Sequence, residues 1–170
     1  MRNIILCGFM GSGKTTVGRQ LADLTGRRFI DTDLLITEKA GMTIPEIFKN
    51  HSEQYFRELE REVCARAAAQ RRVIIAAGGG ALTFPENVNV FADSGDIVLL
   101  DVPVEVILKR LTGDISRPLL ARPDREEAAR ELYNRRLPAY RTAASYIINA
   151  EGDAHTVALR ILSALGINTV

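Results

Sequence analysis

The sequence predicts an α/β fold in which a parallel sheet of five strands carries helices on both faces. Three observations predict it. Short apolar runs alternate with helical patterns along the chain. The first run ends in a glycine-rich turn that opens directly into a helix. The length of 170 residues suits one domain, with no repeat, linker or low-complexity segment to divide it. We therefore read residues 1–170 as a single domain.

Each element has a local reason. Asn3–Cys7 is a buried strand, and a helix runs from about Lys14 to Leu24, where Gly26 ends it. Arg28–Asp31 is the second strand. A helical stretch from about Leu34 to Lys39 stops at Gly41. Thr43, Pro45 and Glu46 then start a short helix that ends near Lys49, with Thr43 as its N-cap. A longer helix covers about Ser52 to Gln70, and Arg72–Ala76 is the third strand, ending at three glycines. Pro85–Asp93 is a helix, Asp96–Asp101 the fourth strand and Pro103–Leu111 a helix. The stretch Thr112–Pro123 is polar and aperiodic. Asp124–Arg136 is helical, Tyr146–Asn149 is a short fifth strand, and Ala154–Leu165 is an amphipathic helix.

Composition narrows the function. Hydrophobic residues make up 46%, which excludes intrinsic disorder. Lys and Arg number 22 against 21 Asp and Glu, so nothing favours non-specific nucleic-acid binding. No apolar run is long enough to span a membrane, and the N-terminus runs straight into the first strand without a signal-peptide pattern. Cys7 and Cys64 lie in an apolar strand and a helix, where free buried thiols are expected. These features together lead us to expect a cytoplasmic protein; a monomer is expected as well.

In parallel sheets of this kind ligands bind beyond the carboxyl ends of the strands. After the first strand comes Gly8-Phe9-Met10-Gly11-Ser12-Gly13-Lys14-Thr15, which fits G-x-x-x-x-G-K-[ST] in a strand–loop–helix context. Its glycines let backbone N–H groups converge on phosphate oxygens, and the helix adds its positive end. Lys14 reaches the β- and γ-phosphates, and the Thr15 hydroxyl is a hard ligand suited to Mg²⁺. After the second strand, Asp31 and Asp33 should fall on the same side of an extended segment, near this loop. Asp31 can hold Mg²⁺, and Asp33 can take the proton of an attacking hydroxyl. One of them could instead simply cap the next helix.

Other residues stay open at this level. Gly78-Gly79-Gly80 either lets a substrate approach the backbone or makes a tight strand-to-helix turn. Arg57 can pair with Glu60, three residues on, as an ordinary surface ion pair. Arg117 is either a loop arginine or a lid arginine that closes on phosphates, the lid being about residues 112–123. Arg135 and Arg136 fall at the expected end of a helix, where cations are favoured. His51 and His155 lack metal-ligand spacing and are expected at the surface.

Taken together, these residues resemble the shikimate kinase family over essentially the whole length. The resemblance rests on GFMGSGKTTVGRQLA at 8–22, DTD at 31–33, E-x-x-F-R-x-x-E at Glu53–Glu60, GGG at 78–80, RPLL at 117–120 and R-x-P-x-Y at Arg136–Tyr140. It implies a P-loop NTPase fold with strand order 2-3-1-4-5 and a mobile lid. It implies transfer of the ATP γ-phosphoryl to the 3-hydroxyl of shikimate, within aromatic amino-acid biosynthesis, with Mg²⁺ as cofactor. Gly11, Ser12, Gly13, Lys14, Thr15, Thr16, Arg110 and Arg117 would then bind ATP, Arg110 stacking on the adenine. Thr15 and Asp31 would serve Mg²⁺, while Lys14, Asp33 and Arg117 would act in catalysis. Asp33, Arg57, Arg136 and Gly78 to Gly80 would bind shikimate, within a helical region at about 33–62 for the first two. Glu60 would orient the arginines, and Phe48 and Phe56 would form apolar walls. Ser52, Ala77 and Met10 depart from residues common in the family at their positions.

The residues support the carry-over at one point: two guanidinium groups match one carboxylate, and a lone aspartate matches adjacent hydroxyls. A kinase for another acceptor, such as gluconate or a nucleoside monophosphate, is the nearer rival. A non-catalytic nucleotide switch is the other, and it leaves Asp33, Arg57 and Arg136 without a shared job.

Overall fold

The computed structural model describes residues 2–112 and 123–169. Strands β1 (Asn3–Cys7), β2 (Arg28–Asp31), β3 (Val73–Ala76), β4 (Gly95–Asp101) and β5 (Tyr146–Asn149) form one sheet in the order β2-β3-β1-β4-β5. All neighbours are parallel; Ile5 of β1 stands opposite Ile75 on one side and Ile97 on the other. Every residue of β1 and β3 is buried. Successive side chains of a strand point to opposite faces, so both faces must be covered.

Helices supply the cover. α1 (Lys14–Thr25) packs on β1, β2 and β3 and against α8 (Ala154–Leu165). α5 (Pro85–Ser94) and α7 (Arg125–Ala143) pack on β4, and α6 (Val104–Leu111) packs on α7. The main core gathers Ile4, Ile5 and Leu6 with Ile74, Ile75 and the apolar residues of β4. Burial of each such side chain contributes about 1.5–3 kcal/mol. A second, smaller cluster of Ile36, Ile47, Phe56, Leu59 and Val63 ties α2 (Thr32–Ala40), α3 (Ile44–Asn50) and α4 (Glu53–Ala68) together. No helix of the described residues is long and apolar enough to cross a membrane.

Helix ends follow the local chemistry. Thr43 and Glu46 form a reciprocal capping box, with the Glu46 carboxylate accepting from the Thr43 N–H at 2.7 Å. That bond holds the Glu46 pKa below the usual carboxylate value. Ser52 Oγ accepts from the Tyr55 N–H at 3.1 Å and so caps α4.

Three features differ from the sequence reading. α2 begins at Thr32, so Asp33 sits in a first helical turn and not in an extended segment. The Asp31 carboxylate accepts from the N–H groups of Asp33 and Leu34, and this cap starts the helix early. α7 does not end at Arg136; it continues through Pro138 to Ala143. Tyr140 is 1% exposed, and burying its ring outweighs the hydrogen bond that Pro138 cannot donate. Finally, Arg72 enters β3 with φ 58°, a left-handed conformation that no glycine there announces. The expected lid lies almost wholly outside the described residues, since 113–122 are not among them.

One close approach yields a stability test. Gly95 begins β4 beside Asn3, where an added Cβ would lie 2.4 Å from the Asn3 carbonyl oxygen and 2.5 Å from Ile5 Cδ1. Backbone cannot yield as a side-chain tip can. Gly95→Ala should cost about 1–3 kcal/mol in urea unfolding; an unchanged midpoint would mean that β1 and β4 part freely at this end.

Candidate active site

The carboxyl ends of β1, β2 and β3 open onto one cavity of about 450 Å³, lined by Met10, Lys14, Thr15, Asp31, Asp33 and Gly79 among others. The loop after β1 builds its floor. Gly8, Gly11 and Gly13 take φ of 147°, 77° and 97°, which side-chain-bearing residues rarely adopt. These turns deliver Ser12 and Lys14 to the start of α1, whose N-terminal N–H groups face the cavity end of the sheet. Lys14 Nζ donates to the carbonyls of Gly8 and Phe9 at 2.7 and 3.1 Å, so the ammonium is held across the loop. Thr16 lines the same cavity, and Ser12 is 2% exposed within the loop. Arg110, at the end of α6, donates to the Gly11 carbonyl at 3.1 Å and lies exposed beside the loop.

Thr15 Oγ1 donates to Asp31 Oδ2 at 3.1 Å. Asp31 uses its other oxygen to cap α2, so the capping reading holds for Asp31 while its second oxygen faces the Thr15 hydroxyl. A hydroxyl and a carboxylate oxygen this close are hard donors that suit Mg²⁺. Among the described residues no three His, Cys, Asp or Glu side chains gather as a metal cluster. A metal held at Thr15 and Asp31 would therefore need further oxygens from phosphate and water, the usual coordination of Mg²⁺ at a nucleotide.

The acceptor side is organised by the glycine triplet. An added Cβ on Gly78 would lie 2.6 Å from Asp33 Oδ1. One on Gly79 would lie 3.2 Å from Arg136 Nη1, and one on Gly80 2.8 Å from Arg57 Nη1 and 3.3 Å from Arg136 Nη2. Side chains would occupy the space that the aspartate and both arginines use. Gly78 to Gly80 have no positive φ, so close approach and not backbone conformation requires glycine here. The structure thus brings Asp33, Arg57 and Arg136 to one place from α2, α4 and α7.

Each arginine is held from behind. Arg57 Nη1 donates to Glu60 Oε1 at 2.8 Å, and its guanidinium carbon lies 4.8 Å from the Phe84 ring centroid. Glu60 is 1% exposed; burial pushes its pKa up, and the positive charge and hydrogen bond of Arg57 oppose that rise. The pair is therefore half-buried, its carboxylate deep and its guanidinium partly exposed, and not the solvated pair that i,i+3 spacing alone suggests. Phe56 is buried in the small α2–α4 cluster, and Phe48, 40% exposed, packs on it with ring centroids 4.8 Å apart.

Two residues quoted within motifs, Thr32 and Tyr140, had no role assigned from the sequence and prove to frame the site. Thr32 Oγ1 accepts from the Gly78 N–H at 2.9 Å and donates to the Ala76 carbonyl at 3.3 Å, stapling the end of β2 to the triplet. The Tyr140 hydroxyl donates to the Gly79 carbonyl and lies against Arg136, one helical turn before it. Burial pushes the Tyr140 pKa up to about 12, while Arg136 opposes that rise. The R-x-P-x-Y motif was the available signal for Tyr140, and DTD the signal for Thr32, but neither motif says that the side chain would hold the triplet. Arg117 lies outside the described residues. Cys7 and Cys64 are free and buried, as expected. His51 is exposed and stacks on Tyr55.

A phosphate-binding loop on a five-stranded parallel sheet, with a cleft of opposed aspartate and arginines beside it, defines a P-loop phosphotransferase acting on a small molecule. The comparisons make the class particular. The family model described as shikimate kinase matches residues 10–166. The shikimate kinases of Caldanaerobacter subterraneus subsp. tengcongensis and Moorella thermoacetica are 42% and 46% identical over 164 residues, 96% of this chain, and cover 96% and 94% of their own lengths. The solved structure of shikimate kinase from Acinetobacter baumannii in complex with shikimate matches with a TM-score of 0.93 at 42% identity, covering 97% of this chain and 93% of that one. The chain belongs to the shikimate kinase family.

Tyr140 offers a direct check on the site's frame. Tyr140→Phe removes the hydrogen bond to the half-buried Gly79 carbonyl while keeping the ring, and should cost about 0.5–1.5 kcal/mol in chemical unfolding. No loss of stability would mean that the triplet is held by Thr32 alone.

Proposed function

We propose that this enzyme transfers the γ-phosphoryl group of ATP to the 3-hydroxyl of shikimate, giving shikimate 3-phosphate and ADP in aromatic amino-acid biosynthesis. The observation that carries the reading is the meeting of Arg57, Arg136 and Asp33 at the glycine triplet beside the phosphate loop. An acceptor that suits this set has a carboxylate at one end and hydroxyls at the other, which shikimate has. The shikimate complex of the 42% identical Acinetobacter baumannii enzyme supports the choice.

The roles follow from placement. Backbone N–H groups of Gly11 to Thr16 and the start of α1 cradle the ATP phosphates. Lys14 exchanges its loop carbonyls for the β- and γ-phosphate oxygens. Arg110 stays at the nucleotide side of the loop, against the adenine, and Arg117 supplies a lid cation over the phosphates. Thr15 and Asp31 hold Mg²⁺, which when bound neutralises charge that develops on the phosphate oxygens. Arg57 and Arg136 fork onto the shikimate carboxylate and fix the ring over Gly78 to Gly80. Asp33 then orients the 3-hydroxyl and takes its proton as the oxygen bonds to γ-phosphorus and the bond to the ADP oxygen breaks. We assign residues about 33–62 to acceptor binding, residues 112–123 to the lid, and the whole chain to one monomeric domain. Its free thiols suit the cytoplasm.

Turnover of ATP with and without shikimate tests the reading as a whole. Shikimate should stimulate ADP release strongly, whereas gluconate and nucleoside monophosphates should not. Equal rates with and without shikimate would overturn the assignment.

Arg57→Ala should raise the shikimate KM by roughly 10–150-fold, the loss of charge-assisted hydrogen bonds of about 1.5–3 kcal/mol. Lysine at Arg57 should rescue only in part, because it lacks the guanidinium fork. A shikimate amide should bind the wild type weakly and be nearly indifferent to Arg57→Ala. If the amide binds the wild type as well as shikimate does, the arginines are structural.

Asp33→Asn keeps size and removes basicity. Turnover should fall by roughly 10²–10⁴-fold with ATP binding little changed. A loss of ATP affinity with normal shikimate binding would make Asp33 a metal residue instead.

A further inference from the structure

Two buried polar atoms near the acceptor site have no hydrogen-bond partner among the described residues, and they are of opposite kinds. One is Arg57 Nε, an N–H donor. The other is Asn87 Oδ1, an acceptor, on a side chain that is 2% exposed. Both residues line one recess of about 220 Å³, with Phe84 between them in sequence and on its wall. The orientation of the Asn87 amide follows from its other end: Nδ2 donates to the Ala81 carbonyl at 3.0 Å. Turning the amide over would set two oxygens against each other there, so Oδ1 faces away from Ala81.

An unmade bond to a buried donor and another to a buried acceptor are each costly, and one water satisfies both when it has room and polar partners. We propose that an ordered water bridges Arg57 Nε–H to Asn87 Oδ1, making Asn87 a positioning residue for the substrate-side arginine. Glu60 holds Nη1, Phe84 lies along the guanidinium, and the bridge holds the Nε edge. Together with the Glu53 carboxylate at 3.5 Å and the Phe56 ring, these restraints leave the fork little freedom to rotate. Because Asn87 also grips Ala81, directly after the triplet, the same side chain sets the arginine relative to Gly80. The kinetic consequence rests on the proposed shikimate reading; the bridge itself does not.

The experiment therefore has two arms. In the substrate-free protein, the Arg57 Nε–Hε resonance, assigned by its loss in Arg57→Lys, should exchange slowly with water and lose that protection in Asn87→Leu. Asn87→Asp keeps an acceptor toward Nε and should retain it. In turnover, Asn87→Leu should raise the shikimate KM about 3–10-fold, the worth of one hydrogen bond, with the ATP KM within about twofold. In the Arg57→Ala background it should add nothing. Rapid Hε exchange in the wild type, protection unchanged in Asn87→Leu, or an equal KM effect without Arg57 would each overturn the bridge. If Asn87→Leu does not fold, loss of Hε protection in Asn87→Asp does the same, because the bond to Ala81 is then what matters. A wild type that ignores shikimate would sink the proposed function and leave the resonance arm standing.

Discussion

The site depends on a strip of backbone with no side chains. Where β3 ends, Gly78, Gly79 and Gly80 leave a space that Asp33, Arg136 and Arg57 fill, at would-be Cβ distances of 2.6–3.3 Å. Three charged groups from three helices can meet only because nothing grows from the chain between them. Three glycines in succession cost conformational entropy, roughly 1 kcal/mol each against alanine in regular structure. Thr32 and Tyr140 offset that looseness, one hydrogen-bonding the N–H of Gly78 and the other the carbonyl of Gly79.

Charge is arranged around this strip so that each ion has a neighbour. Glu60 is the deepest, and its partner Arg57 stands partly in the open, with its side chain 22% exposed. A buried carboxylate without that guanidinium would be strongly destabilising. The pair is best understood as a device for aim: Glu60 fixes one nitrogen of a fork whose face lies on Phe84 and whose Nη atoms lie against Gly80. The nucleotide side follows a different logic. There the positive φ of three glycines turns backbone N–H groups inward, and Lys14 waits across the loop carbonyls.

Both halves are positioned by the sheet. β1 lies at its centre, flanked by β3 and β4, so the phosphate loop, the triplet and the Asp31 cap emerge side by side. The small α2–α4 cluster carries Asp33 and Arg57 on helices that share Ile36, Phe56 and Leu59. α4 joins this cluster to the main core, since it packs on α5 and places Cys64, Ala67 and Ala68 in that core. The acceptor residues Asp33 and Arg57 thus sit on helices anchored to the same core as the nucleotide floor.

The sequence by itself determined the strand and helix alternation, the phosphate loop, and the pairing of Thr43 with Glu46, because each is set by neighbours a few residues apart. Its motifs also named Asp33, Arg57 and Arg136 through their likeness to a family, without saying where the three would meet. Tertiary structure decided the rest. Whether Arg57 and Glu60 form a surface pair or a half-buried one depends on α5 and the Phe84 ring, which lie outside the helix that carries them. Asp31 could be read as a metal residue or as a cap; folding makes it the cap of α2, and the packing of α1 beside β2 adds the Thr15 hydroxyl as a partner that spacing did not suggest. Helix α7 runs past Pro138 because Tyr140 finds a buried place beneath the triplet, a gain that no local propensity contains. Spacing along the chain can specify what closes within a turn or two; the worth of a buried charge or ring is set by groups that only folding brings near.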